Sequence, residues 1–475
     1  MSEWARRWAV PFDAVTRRDG WFSIGIVVLA LLLRVTVGLH FAGEPVWDGH
    51  YYHYGAVRLA DGFGYSEDVL RNGVWTWKPW THYPVGYSLW LSLWYRAFGS
   101  HLWVAPISNA VAGAFTVLAI HRLALPALGL WRARLAAVIV TLHPGLVLYT
   151  AVAMSEPLAA CLLLAALLPL GIAKPRWLGY ALSGLLLGAS VLVRPTSLLA
   201  LPLVWLFLHG SLRHKAIGVA AVGACCLATI LPWTLRNCYR MDGCALVSTN
   251  AGWNLAIGAL TETGRFRPLH AADGCPVVTG QVQQDRCWAE RGLSVIRRDP
   301  LRWAKLAPKK LEQTFNHESF AVEYLREANP AAWPEARRVA WRESMTDAHR
   351  WIVACASFSV VTLMFGRGAL QRGQRLRTIV QWALIAMLLV LVTMVFHSDE
   401  HPLHWLILAF IGLSILPLPG RPALGGLIGF SIGFVALTAL SHVMFFGDDR
   451  YHLVVSPLLS LLAAAALRRD TAGQG

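Results

Sequence analysis

Residues 21–41 read WFSIGIVVLALLLRVTVGLHF, an apolar run with one charge, Arg34. A helix needs about 20 such residues to cross the hydrocarbon of a bilayer. The run is too long for a signal-peptide core and is followed by no small-residue cleavage site, so it reads as a permanent span. Working outward, similar runs fall at 102–121, 135–153, 157–172, 178–193, 195–209, 216–233, 349–366, 378–396, 402–418, 422–446 and 451–467, giving twelve expected spans. Boundaries soften near Pro157 and Pro195, where a polar residue and a proline interrupt the run.

Composition agrees with this reading. Of 475 residues, 56% are apolar and 15% charged, against about 25% charged in an ordinary soluble protein. The mean hydropathy is +0.48. These values exclude a disordered chain and argue against a soluble globular enzyme. The net charge of +15 first suggests nucleic acid, but many basic residues anchor the cytoplasmic ends of helices. The segments expected inside (1–20, 121–135, 173–177, 209–215, 365–378, 419–422 and 468–475) hold 18 Lys/Arg, and the short outer connections hold 5. Arg and Lys resist translocation, so the chain is expected N-in and C-in. No nucleic-acid partner is expected; the lipid bilayer is.

The expected organisation follows. Residues 1–20 are a cytoplasmic N-terminus. An N-terminal transmembrane module occupies 21–233 (spans one to seven) and carries an outer loop at 42–85, expected to hold short helices. Residues 234–347 are a mostly helical extracytoplasmic segment. A C-terminal module of spans eight to twelve occupies 348–467, and 468–475 is a cytoplasmic tail. The fold class is therefore an all-α polytopic membrane protein. Four cysteines fall in the second outer segment: Cys238, Cys244, Cys275 and Cys287. An even set in an oxidising compartment suggests disulfides, with Cys238–Cys244 and Cys275–Cys287 one of three pairings. Their spacing does not match a zinc knuckle. The chain shows no Walker loop, no GxGxxG after a strand and no repeat.

The outer face holds the informative polar residues. The first loop contains Trp47-Asp48-Gly49-His50-Tyr51-Tyr52-His53-Tyr54 and ends His82-Tyr83-Pro84-Val85-Gly86-Tyr87. Its aromatics suit either a membrane interface or stacking on sugar rings. At span ends lie Glu156, Arg194, Arg236, and the run Asp448-Asp449-Arg450-Tyr451, with His397, Asp399, Glu400 and His401 between two later spans. One such Arg is ordinarily a snorkelling anchor. Three on the side that positive charge avoids suit one anionic group, and guanidinium suits phosphate because its fork donates parallel hydrogen bonds. Arg34, alone inside a span, is expected to have a structural partner. A carboxylate in an aromatic loop, Arg residues on the same face and an outer segment above them suit an enzyme whose substrate has a lipid tail, a phosphate and a polar head. A transporter or flippase for a lipid-linked or anionic solute is the alternative. It would ordinarily place polar residues near the midplane on broken helices of repeated halves.

These residues resemble the polytopic glycosyltransferases of the C-type fold, in the broad family 39 and aminoarabinose/mannosyl-transferase group. The likeness is carried by Asp48 with Tyr51-Tyr52, Ala56, Leu59-Ala60, Gly62 and Gly64-Tyr65, then by Tyr83-Pro84-Val85-Gly86-Tyr87. It continues in His143-Pro144, Ser155-Glu156, Gly188 through Arg194-Pro195 and Pro232-Trp233-Thr234-Leu235-Arg236-Asn237. It ends with Ser248-Thr249-Asn250, Gly252, Asn254 and Gly258, and with Arg450-Tyr451-His452. Two departures stand out: Trp47 and Gly49 flank Asp48 where many relatives carry a second carboxylate, and Val85 replaces a proline.

The resemblance implies a sugar donor on a polyprenyl phosphate, presented from the outer leaflet of the cell inner (plasma) membrane. The acceptor, a lipid, glycan or protein of the envelope, stays open. Asp48 is expected as base or acceptor-orienting carboxylate. Arg194, Arg236 and Arg450 are expected at the lipid phosphate. His50, Tyr51, His82, Tyr83, Glu156, Trp253, Asn254 and Tyr451 are candidates for substrate contacts. No metal or other cofactor is expected to be required, because the second carboxylate is missing; His50, Glu67 or Asp68 are the residues that could replace it at a divalent ion.

Overall fold

The computed structural model describes residues 19–172, 175–276, 280–365, 375–398, 402–415 and 426–467. Segments 1–18, 366–374 and 468–475, which weigh heavily in the charge count, lie outside these residues, as do Asp399, Glu400 and His401.

The molecule is helical. The first helix among the described residues, α1 (Gly20–His40), matches the opening run. The loop after α1 then holds α2 (Trp47–Ala60) and a hairpin of β1 (Ser66–Arg71) and β2 (Val74–Pro79), which pair antiparallel with Arg71 opposite Val74. The hairpin corrects the expectation of short helices alone. Its turn is Asn72-Gly73, with φ of 51° and 79°, the sequence that two-residue hairpins favour because both central residues need positive φ. Next come α3 (Val85–Phe98), α4 (Val104–Leu128), α5 (Leu130–Leu142), α6 (Pro144–Leu148), α7 (Glu156–Ile172) and α8 (Arg176–Val193). A broken stretch at Pro195–Leu206 leads to α9 (Leu212–Arg240), which runs straight across the expected boundary at 233/234.

Five helices among the described residues are long and apolar enough to cross a membrane: Gly20–His40, Val104–Leu128, Arg176–Val193, Leu212–Arg240 and Gly426–Met444. The pair Leu130–Leu142 and Pro144–Ala151, bent by 52°, makes up to a sixth. Most other expected spans are shorter apolar helices, such as Leu403–Ile415 and Ser456–Ala466. The run at 349–366 is the C-terminal part of a 31-residue helix, Glu335–Phe365, whose first turns are polar.

Two packing features show how apolar helices are joined here. Pro144 has no N–H, so Val140 O loses its helical partner at the α5–α6 break. Arg34, buried at 1% exposure, reaches across from α1 and donates from Nη2 to Val140 O at 2.8 Å and from Nη1 to Thr141 O at 3.2 Å. The charge inside the first span is thus a staple for orphaned carbonyls, which hydrocarbon cannot solvate. On α8, Gly184 and Gly188 let α9 approach closely: a Cβ at either would lie 2.5 or 2.6 Å from side-chain carbons of Cys225 or Thr229. Small residues four apart are a recurrent device for close helix contact in membranes. In the segment expected at 234–347 Cys238 pairs with Cys244, and Cys275 with Cys287.

Candidate active site

Asp48 sits in the first turn of α2, where the helix dipole favours a carboxylate. The residue before it, Trp47, has φ 49°, a left-handed conformation rare for a bulky aromatic and often found where a site imposes it. The residue after it must be small, since a Cβ on Gly49 would lie 2.1 Å from the Tyr324 hydroxyl. That hydroxyl also accepts from Val46 N at 3.1 Å. A second carboxylate at position 49 therefore has no room.

Both carboxylate oxygens of Asp48 are engaged. Tyr83 donates its hydroxyl to Oδ1 at 2.6 Å. Arg450 Nη1 lies 2.5 Å from Oδ2. Burial alone would raise the Asp48 carboxyl, but the Arg450 charge, the two hydrogen bonds and nearby His82 outweigh it and leave its pKa below the ordinary value. The carboxylate is thus ionised throughout the physiological range. Tyr83 is pushed the other way, by burial and then by the Asp48 charge, and stays a protonated donor. Burial lowers His82 to about 4, so its ring is neutral.

The Arg residues divide into two groups. Arg450 and Arg194 lie over the same Tyr451 ring, at 5.0 and 5.3 Å from its centroid. Arg194 follows the last turn of α8 and pairs at 2.5 Å with Glu156, buried in the first turn of α7. Arg236 does not join them. It donates to Trp80 O at 3.0 Å and to Tyr65 O, with Asn237 Oδ1 at 3.0 Å, and it covers the Trp233 ring. Its fork ties the end of the first loop to α9.

The other candidates also separate. Tyr51 stacks on Trp80 and tilts against Tyr83, lining the cavity beside Asp48. His50 is exposed and stacks on Tyr54. Trp253 meets His82 edge-on at 5.7 Å and packs on Trp288. Asn254 lies half-buried on the helix Ala251–Leu260. The preceding Gly252 N donates to Asp285 at 2.8 Å, so this stretch is locked to the helix Gln281–Arg298.

Residues that sequence patterns did not single out complete the site. Phe320 lies under the Arg450 guanidinium at 5.1 Å, and Tyr324 supports Val46 and Gly49. Their spacing of four on one short helix, Phe320–Ala328, was the available signal. Asp449 accepts from Ser319 N, from Ser319 Oγ at 2.9 Å and from Phe320 N at 2.8 Å, fastening that helix beside Arg450.

Two concavities lie near these residues. A cavity of about 640 Å³ is lined by Asp48, Tyr51, Phe320, Asp448 and Arg450 among others, within the ordinary range for a small-molecule site. An apolar groove of about 260 Å³ runs between α3, α4, α7 and α8, past Trp90, Phe115 and Leu162, and reaches Val193 beside Arg194.

Residues 82–235 match the family described as dolichyl-phosphate-mannose-protein mannosyltransferase. Among solved structures, the chain is similar to an Archaeoglobus fulgidus oligosaccharyltransferase tethered with an acceptor peptide, at 11% identity and TM-score 0.43, covering 94% of this chain and 49% of that one. It is similar to the same organism's AglB in complex with an inhibitory peptide and a dolichol-phosphate, at 10% identity and TM-score 0.41, covering 94% and 50%. It is also similar to ArnT from Cupriavidus metallidurans bound to undecaprenyl phosphate, at 12% identity and TM-score 0.36, covering 94% and 78%. The chain spans about half the length of the oligosaccharyltransferase chains it matches. No curated protein matches it in sequence. The family match covers about a third of the chain, from the end of the loop after α1 into the last turns of α9.

Proposed function

We propose that this protein moves a sugar from a polyprenyl-phosphate-linked donor to an acceptor in the envelope, on the extracytoplasmic face of the inner membrane. The observation that carries the reading is the joining of Asp48, Arg450, Tyr451, Arg194 and Glu156, with Asp48 and Arg450 lining a cavity that also holds aromatic rings and Arg194 next to the end of an apolar groove. The groove suits a hydrocarbon tail, the Arg pair a phosphate, and the aromatic cavity a sugar.

In this reading the donor phosphate takes up Arg450 and Arg194. Arg450 turns from Asp48 toward the phosphate, and Asp48 is left to accept a hydrogen bond from the acceptor hydroxyl. The acceptor oxygen bonds to the anomeric carbon as the bond to the lipid phosphate breaks. Asp48 takes the hydroxyl proton late, as an oxocarbenium-like transition state collapses. Charge growing on the departing phosphate is offset by the guanidinium groups; one such donor contributes roughly 3 kcal/mol, about 10² in rate. Arg236 has no part in this step, because its donors are committed to backbone carbonyls. The reaction proceeds without a metal in this scheme.

The test is transfer by purified protein in detergent, given polyprenyl-phosphate sugars and envelope acceptors, with the sugar followed into product by mass spectrometry. Product formed by wild type and not by Asp48→Asn supports the reading. Solute counterflow in liposomes with no covalent product favours the transporter. A membrane-impermeant thiol reagent that labels a cysteine placed at position 270 only from the cytoplasmic side would reverse the proposed face.

A further inference from the structure

We propose that Glu318, His349 and His452 form a structural site for one divalent transition-metal ion of the zinc class, apart from the Asp48–Arg450 pair. The three residues are far apart in sequence and match no close-spaced ligand motif, yet their ligand atoms all lie within 4.8 Å of one another. All three side chains are buried, at 3%, 0% and 0% exposure.

The hydrogen bonds define what converges there. His349 Nε2 lies 3.1 Å from Phe315 O, and His452 Nδ1 lies 2.6 Å from Thr314 O. A carbonyl only accepts, so each of these nitrogens carries its ring's proton. The opposite nitrogens, His349 Nδ1 and His452 Nε2, have no hydrogen-bond partner, and in the neutral rings both present lone pairs. Both oxygens of Glu318 also lack one. The shortest approach between His452 Nε2 and Glu318, 4.0 Å, is too long for a hydrogen bond. Buried acceptors facing one another with no donor are costly, and a cation removes that cost.

Two neutral imidazoles and a carboxylate are a donor set that zinc takes readily, and backbone carbonyls holding the far ring nitrogens are the usual support for such ligands. The His349 and His452 rings stack at 4.1 Å between centroids with 21° between their planes, so zinc bonds of about 2.0–2.2 Å require the rings to turn out of the stack as the three ligand atoms draw inward. Gly145 leaves space for the carboxylate, since a Cβ there would lie 1.4 Å from Glu318 Oε1. An ion here ties the long helix Glu335–Phe365 to the segment that carries Arg450, two residues before His452. It also fixes the turn in which Ser319 bonds Asp449. The ion is therefore a positioning element and touches no substrate.

The test uses full-length protein purified in detergent from zinc-supplemented cells, with any affinity tag removed. Elemental analysis should find about one zinc per chain, as expected for a single ligand set. Glu318→Gln and His349→Asn should each lower that content roughly tenfold or more, and His397→Ala, at an exposed histidine, should not. Chelation should lower the unfolding temperature of wild type and leave that of His349→Asn unchanged, provided the variant elutes as a folded species. Reconstitution with cobalt(II) should give a visible absorption band that His349→Asn lacks. Equal zinc in wild type and both ligand variants would overturn the proposal. So would zinc-free wild type whose unfolding temperature is indifferent to added zinc. These readouts do not depend on sugar transfer, so they stand or fall separately from the proposed function.

Discussion

Arg450 and Asp48 are 402 residues apart in the chain, and their side chains meet at 2.5 Å. The contact joins the loop after α1 to the segment that leads into the helix Ser456–Ala466 and places a guanidinium on the carboxylate proposed as base.

If Asp48 takes the acceptor proton, Asp48→Asn should reduce transfer by about 10²–10⁴-fold, the usual worth of a general base. Tyr83→Phe removes one hydrogen bond to the carboxylate, worth about 1.5–3 kcal/mol. It should shift the acid limb of the rate profile to higher pH, because Asp48 loses a group that holds its pKa down. A pH–rate profile on purified protein checks both. Near-normal turnover in Asp48→Asn removes this residue from the chemistry.

The Arg residues should separate by phenotype. Arg194→Ala and Arg450→Ala should weaken use of the lipid-linked donor, each by about 10² in kcat/KM. Arg236→Ala should act mainly on stability, because Trp80 O and Tyr65 O lose their donor. Kinetics against donor concentration, read beside unfolding temperatures, distinguish the two. Equal kinetic defects in all three variants would contradict the division.

His82 gives a pH signature in stability. Its folded pKa is about 4 against an ordinary 6.5, so the unfolded chain binds the proton first as pH falls. Stability is level above the ordinary value and declines as pH drops from 6.5 toward 4, by up to about 3 kcal/mol. His82→Gln should flatten that part of the profile. Unfolding temperature against pH, for wild type and variant, is the measurement.

Gly49→Ala drives a methyl into the Tyr324 hydroxyl. It should displace Asp48 and reduce transfer at least tenfold, as small misplacements of catalytic groups do. Tyr324→Phe removes the clashing oxygen, so the double variant should recover part of the loss. Failure of the double variant to recover would place the effect elsewhere.

The disulfide Cys275–Cys287 closes a separation of 12 residues, for which the chain-entropy account gives roughly 3 kcal/mol. Replacing both cysteines by serine should lower the unfolding temperature while transfer by the remaining folded protein persists. An unchanged unfolding temperature would show that the packing of Trp288 and Ala256 suffices.

Much of the architecture is legible in the sequence because hydropathy and periodicity are local. The run at 21–41 and the aromatic loop around Asp48 can both be read within short windows, whereas the four cysteines left three pairings open until the structure joined Cys238 to Cys244 and Cys275 to Cys287. Asn72-Gly73 marks the hairpin just as locally. Helix breaks are announced by Pro144 and Pro195. What local pattern does not show is which carbonyl an Arg will meet. Arg194, Arg236 and Arg450 all look alike as basic residues at span ends. Only packing directs Arg236 to the backbone of the first loop and brings the other two onto Tyr451. Gly49 likewise reads as a lost carboxylate, and only the tertiary structure shows Tyr324 occupying its space. The sequence by itself determined a polytopic helical membrane protein with an aromatic, carboxylate-bearing loop after its first span, because burial in lipid demands long apolar helices. The tertiary structure decided the Asp48–Arg450 contact and the convergence of Glu318, His349 and His452. Such contacts depend on how distant helices pack, and no short stretch of sequence encodes that packing.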